Sequence, residues 1–343
     1  MSRGLRALLG ALGLAIVGLI GYLTPAVGGS TRAVLGLLTA VTLWLVWRWP
    51  QLEQRLAGTE ESACAVRAGP QLFDLALGFI TNFFDTLGIG NFAPTTAALK
   101  FTRRIPDEDV PGTLNVGHAL PVLTEALIFI AAIVVDPRLL IAMIGASIGG
   151  AWVGAGVVAR MPRRAIQLGM GTALAIAAAL FIAANLQWMP VGGSATAVSG
   201  TRFLVAVSGN FVLGALMTLG IGLYAPCLIM LSLLGLDPRA AFPIMMGSCA
   251  FLMPIGGIRF VRSRRYSVPV ALGLALGGPP AVLLAAYVVK SMPIVWLRWL
   301  VVLVVLYAAA VMLHSALRGN TVSSGETGRE TPPVAARSAR LGE

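Results

Sequence analysis

The chain has 343 residues, of which 57% are hydrophobic and only 11% charged, with a mean hydropathy of +0.85. Soluble globular chains carry about 25% charged residues, so this composition excludes that class, and apolar stretches long enough to cross a bilayer recur along the chain. The net charge of +11 is not a nucleic-acid footprint, because the arginines fall in short loops between apolar segments rather than on one soluble face.

Residues 4–27 form the first apolar run, behind Arg3 and Arg6. It is too long for the apolar region of a signal peptide and lacks a clean Ala-x-Ala site, so it reads as a retained helix. A second helix spans 33–48, which makes 1–49 an N-terminal unit of two transmembrane helices. These two either cover the bundle or make a homodimer contact. Residues 50–70 hold most of the early charge and read as a cytoplasmic linker with room for an interfacial helix. Apolar segments follow at 71–99, 112–135, 138–160, 165–187, 203–235, 241–260, 268–290 and 294–317. Residues 188–202 read as an external loop. The stretch 318–343 has no apolar periodicity and reads as a disordered cytoplasmic tail.

An internal repeat emerges when the halves are superposed. Thr86-Leu87-Gly88-Ile89-Gly90 recurs as Thr218-Leu219-Gly220-Ile221-Gly222, and Ala93-Pro94 recurs as Ala225-Pro226, at a constant offset of 132 residues. The same offset places Pro106 on Pro238, Pro111 on Pro243, Pro137 on Pro269 and Gly145 on Gly277. Two repeats are therefore expected, 71–187 and 203–317. The densest basic loops are Lys100/Arg103/Arg104, Arg160/Arg163/Arg164 and Arg259/Arg262/Arg264/Arg265. All three fall on the cytoplasmic side only if 71–99 and 203–235 each enter and leave on one face. That choice leaves 6 of the 25 Lys and Arg outside. The fold expected is an all-α polytopic membrane protein. It has two inverted repeats, each a re-entrant broken hairpin plus three transmembrane helices, and cytoplasmic termini.

Gly88, Gly90 and Pro94 interrupt any helix, and so do Gly220, Gly222 and Pro226. Proline is tolerated in the first turn of a helix, so Pro94 and Pro226 are expected to open the second half-helix of each hairpin. The amino ends of those half-helices would meet near the midplane, an arrangement by which secondary transporters hold anions. Amides around Asn91, Thr95 and Thr96 and around Tyr224 and Cys227, with the hydroxyl of Thr218, complete the expected substrate site. The first half is the more polar: Asn82, Asp85, Asn91, Thr95 and Thr96 stand where the second has Gly214, Met217, Leu223, Cys227 and Leu228. Asn115, His118 and Glu125 share one helical face. Ionisable groups at that depth are costly and mark ion or proton paths, so His118, Glu125 and Asp85 are the candidate proton-coupling residues.

At the two glycine-rich breaks the chain resembles the sulfite exporter (TauE/SafE) permease family. The resemblance covers 71–317 and rests on Gly88, Gly90 and Pro94 with Gly220, Gly222 and Pro226. Asn91-Phe92 and Leu223-Tyr224 stand where members commonly carry a longer glycine run. It implies a bacterial inner-membrane permease for sulfite, thiosulfate or organosulfonates.

The reading is thus a secondary transporter of a small anion, with protons as candidate co-substrate and the bilayer as its surroundings. No cofactor, metal, nucleic acid or enzymatic activity is expected. One alternative changes the cargo to a carboxylate, or to a cation drawn by Asp85 and Glu125. The other is a membrane enzyme or assembly factor that handles sulfur through Cys227. Cys64, Cys227 and Cys249 are odd in number and widely spaced, with neither disulfide nor zinc spacing. There is no GxxxxGK[ST] phosphate loop.

Overall fold

A computed structural model describes residues 29–56, 69–188, 194–220 and 222–288, together with Gly18, Leu306, Ala310, Leu313 and His314. The expected helices at 4–27 and 294–317, most of the linker and the tail lie outside the described residues. Within them the regular structure is helical, apart from one isolated bridge between Ala195 and Leu236. The helices in chain order are α1 (Gly29–Leu56), α2 (Leu72–Thr86), α3 (Phe92–Thr102), α4 (Val110–Gly117), α5 (Ala119–Ala132) and α6 (Pro137–Val158). They continue as α7 (Arg163–Asn185), α8 (Gly200–Met217), α9 (Tyr224–Leu233), α10 (Pro238–Ser263) and α11 (Val268–Val288). A 3-10 turn, Asp107–Asp109, leads into α4. Five stretches are long and apolar enough to cross a membrane: Asp107–Ala132, Pro137–Val158, Gly200–Met217, Arg239–Ser263 and Val268–Ala286. The architecture is that of an all-α, multi-pass membrane protein.

Local chemistry explains the boundaries. α6 and α10 open with proline at the first helical position, where no N–H is needed. The preceding Asp136 and Asp237 accept from the amides of Arg138 (3.0 Å) and Arg239 (2.8 Å). The segment expected as one helix at 112–135 is divided at His118, between α4 and α5. Pro121 lacks the N–H that would bond the carbonyl of Gly117. α1 runs on to Leu56, past the expected stop at Pro50, because Gln51, Glu53, Gln54 and Arg55 are good helix formers.

The inner and outer layers differ sharply. In the apolar windows of Asp107–Ala132 and Arg239–Ser263, 83% of residues are buried, against 22% for Gly200–Met217. α4, α5 and α10 are therefore the centre, and α8 turns Leu204, Val205 and Val212 outward. α2 packs chiefly on α11, and α8 chiefly on α6. Small residues bring these pairs close: a Cβ on Gly78 would lie 2.7 Å from the Leu274 Cα, and one on Gly154 2.8 Å from the Ala215 Cα. Each half thus lends its hairpin to a long helix of the other half.

Both broken segments turn back on themselves. Asp74, in the first turn of α2, accepts from Arg104 just beyond α3 at 3.0 and 2.9 Å, which ties the two ends of the first hairpin together. Lys100 of α3 bonds Asp107 at 2.6 and 2.7 Å, and Gln167 of α7 joins the same carboxylate at 2.6 Å. In the second hairpin Gly235 beyond α9 lies beside Arg202 at the start of α8. Asp237 N donates to Ala195 O, and Asp136 N to Thr196 O. The base of the first hairpin therefore sits by the start of α7, and that of the second by the start of α6.

The three basic loops gather at one end. The Arg259 guanidinium stacks over Trp152 of α6, 4.0 Å from the ring centroid, so the end of α10 adjoins the end of α6 and the loop that follows it. Ser267 N donates to Thr113 Oγ1 at 2.9 Å. Trp49 Nε1 donates to the Tyr266 hydroxyl at 3.1 Å, which brings the charged end of α1 to the same place.

Candidate functional site

The two breaks have the geometry the glycines and prolines imply. Gly88 and Gly90 take φ of +84° and +89°, and Gly220 takes +101°, values that favour residues without a Cβ. Gly222 is half-buried and is not among the positive-φ glycines; Ile221 lies outside the described residues. Pro94 and Pro226 are each the third residue of their half-helix. The first intrahelical bonds are then Thr95 N to Asn91 O (3.1 Å) and Cys227 N to Leu223 O (3.0 Å), at matched positions of the repeat. The amides before them have no partner within the helix.

At the tip of the first hairpin a polar cluster forms from Asn82, Asp85, Thr86, Asn91, Thr95, His118, Glu125 and Tyr224, all buried. Asn82 is its organiser. Its Nδ2 donates to Gly78 O at 2.7 Å, so its Oδ1 is left to accept from Asn91 Nδ2 (2.9 Å) and to face His118 Nδ1 (3.0 Å). That contact assigns a proton to Nδ1. In the neutral ring Nε2 is then the acceptor for the Thr95 hydroxyl, 3.0 Å away. Asn91 also donates to Asp85 Oδ2 at 2.6 Å.

Glu125 is the meeting point of the halves. Thr86, the last residue of α2, is 2.9 Å from Oε1, and Tyr224, the first residue of α9, donates to Oε2 at 2.9 Å. The carboxyl of Asp85 neighbours that of Glu125. No Lys or Arg belongs to the cluster; Lys100 and Arg104 are paired with Asp107 and Asp74 near the hairpin base. Asp85 lies eleven residues along α2 from Asp74, about 16 Å at 1.5 Å per residue, or about half of a 30 Å hydrocarbon core.

Of the expected site residues, Asp85, Asn91, Thr95, His118, Glu125 and Tyr224 come together. Thr96 is buried beside them in sequence, and its Oγ1 has no hydrogen-bond partner. Thr218 stands apart: its hydroxyl is spent on Ala215 O at 2.7 Å, and it packs against Gly154 and Gly256. Cys227 is fully buried in the first turn of α9. Cys249 instead contacts the Met217 sulfur at 3.5 Å. Asn115, expected on the face of His118 and Glu125, donates to Pro111 O at 2.8 Å and does not join them. Asn82 and Thr86 were not among the expected site residues. The signal available for both was an apolar helix carrying Thr81, Asn82, Asp85 and Thr86 within six residues. Among the described residues no group of three or more His, Cys, Asp or Glu could hold a metal ion.

Comparison with protein-family models, with curated proteins and with solved structures found no match for this chain.

Proposed function

We propose that the protein is a secondary transporter of a small anion, with a sulfur oxyanion such as sulfite or an organosulfonate as its substrate class, coupled to a proton on the buried cluster. The observation that carries this reading is Glu125 bonded from both sides: Thr86 ends the first half-helix of one hairpin, and Tyr224 begins the second half-helix of the other. Two helix breaks meeting across a pseudo-symmetric interface are the usual construction of a carrier site. The amino ends of α3 and α9 supply unpaired amides for an anion. The hairpin bases, set by the starts of α7 and α6, support inverted repeats. The resemblance to the sulfite exporter family, from Gly88, Gly90, Pro94, Gly220, Gly222 and Pro226, supplies the substrate class. Gathering of the basic loops at one end supports an inner-membrane orientation with that end and both termini cytoplasmic.

The proton has a seat in the geometry. Thr86 has one hydroxyl hydrogen and two neighbours, Asn82 O and Glu125 Oε1, both at 2.9 Å. When Glu125 is protonated it donates to Thr86, Thr86 donates to Asn82 O, and Tyr224 donates to the other carboxyl oxygen. Every group is then satisfied. When the proton leaves, Thr86 must choose, and Asp85 and Glu125 face each other as like charges in a buried site. Arrival of an anion at the adjacent helix ends balances the proton.

The test is counterflow of labelled sulfite in proteoliposomes containing the protein alone, with thiosulfate, sulfonates and carboxylates as competitors. Saturable uptake suppressed by unlabelled sulfite supports the reading, and uptake equal to empty liposomes removes it. A second reading, a cation carrier, is favoured by a cluster with two carboxyls and no basic side chain. Asp85→Asn with Glu125→Gln separates them, because cation binding collapses while anion exchange persists.

A further inference from the structure

Away from the polar cluster, a crevice opens between the end of α1 and the centre of the bundle. Trp44, Arg48 and Trp49 form one wall. Val116 and Ala119, on either side of the His118 junction, form another, and Pro254 of α10 a third. The lining is apolar except for Arg48, which is half-buried and makes only a long contact, 3.4 Å, with Gln51 Oε1. Trp49 is pinned by its bond to Tyr266, while Trp44 and Trp47 are exposed. α10 also lines the crevice through Ile258 and Val261. Arg262 and Arg264, which follow Val261 directly, are exposed.

An apolar slot, aromatic residues at its rim and guanidinium groups at its mouth match the three parts of an anionic phospholipid: acyl chain, interfacial glycerol and phosphate. We infer that this crevice is a binding site for an anionic phospholipid, whose acyl chain lies between Trp44 and the α4–α5 junction and whose phosphate is held by Arg48 and Arg262. Charge complementarity selects this occupant. A zwitterionic lipid fills the slot equally well but leaves the excess positive charge of Arg48, Arg262 and Arg264 uncompensated. The lipid wedges α1 against the helices that carry His118, so its occupancy ties the N-terminal helix to the core. This site depends on the membrane reading alone and not on the transport reading.

The experiment titrates delipidated full-length protein in neutral detergent with phosphatidylglycerol, phosphatidylcholine or soluble glycerol phosphate, and follows the thermal midpoint. Phosphatidylglycerol carrying brominated acyl chains reports contact through tryptophan quenching. The expected result is a saturable rise with phosphatidylglycerol and little with either control. Quenching should fall in Trp44→Phe. Arg48→Gln should retain its lipid-free midpoint while its apparent affinity for phosphatidylglycerol drops about fivefold, the worth of one basic residue at an anionic surface. Equal shifts with phosphatidylcholine, an equal shift with glycerol phosphate alone, or unchanged affinity in Arg48→Gln would each overturn the assignment.

Discussion

Tyr224 and Glu125, 99 residues apart, are joined by a hydrogen bond of 2.9 Å between the phenol and Oε2. Both are buried, so the bond couples the amino end of α9 to the centre of α5 without competition from water. Tyr224→Phe should cost about 1–2 kcal/mol, the net worth of a bond to a group that can ionise. It should also loosen proton coupling more than substrate exchange. Parallel assays of counterflow and of uptake driven by a pH gradient resolve the two effects.

Glu125→Gln keeps the shape and removes the titrating proton. On the transport reading, exchange of labelled substrate continues and the response to an imposed pH gradient disappears. A variant that still accumulates substrate with the gradient would move the proton site elsewhere.

Asp74 and Arg104 hold the base of the first hairpin. Asp74 also accepts from Gln71 N at 3.0 Å, so its carboxylate caps α2 as well. Arg104→Gln leaves that buried carboxylate without its charge partner. The cost should be about 1–3 kcal/mol, below the range for a fully buried pair because Arg104 is partly exposed. Asp74→Asn combined with Arg104→Gln should be less damaging than Arg104→Gln alone, a comparison read from thermal unfolding in detergent.

Gly145 and Gly277 occupy matched positions of the repeat and should respond in opposite ways to alanine. A Cβ on Gly145 meets nothing within 4 Å, whereas one on Gly277 meets the backbone of Leu75, with the Phe79 amide at 3.0 Å. Gly145→Ala should be neutral or gain up to about 1 kcal/mol of helix propensity. Gly277→Ala must push α11 off α2 and should lower the unfolding midpoint by several degrees or prevent assembly.

Cys227 is buried in this state, so an impermeant maleimide should leave it unlabelled. Labelling that appears only during turnover would mean that the start of α9 becomes accessible in another conformation. Unchanged transport in Cys227→Ser would remove the sulfur-handling alternative.

How far the site could be read from the chain is clearest at Thr86 and Thr218, which the repeat aligns. Both are threonines at the end of a half-helix, and local pattern cannot tell them apart. Thr86 reaches Glu125; Thr218 has only Ala215 O, because the residue aligned with Glu125 in the second half is Gly257. Likewise Asn91, whose amide ties Asp85 to Asn82, aligns with Leu223. The polar difference between the halves was legible by comparing letters. Which of those polar groups touch was not, since Asn115 lies on the expected face yet bonds its own helix.

Composition, hydropathy and helix breakers determined by themselves that this chain is a helical membrane protein with two broken hairpins in a repeated pattern. Those are local properties: a glycine at positive φ, a proline in a first turn and an apolar run act wherever the chain goes. Only the tertiary structure decided that α2 packs on α11 while α8 packs on α6. That packing is what delivers Tyr224 of one half to Glu125 of the other. Such contacts depend on small residues admitting close helix approach from distant parts of the chain, and no single segment carries that information.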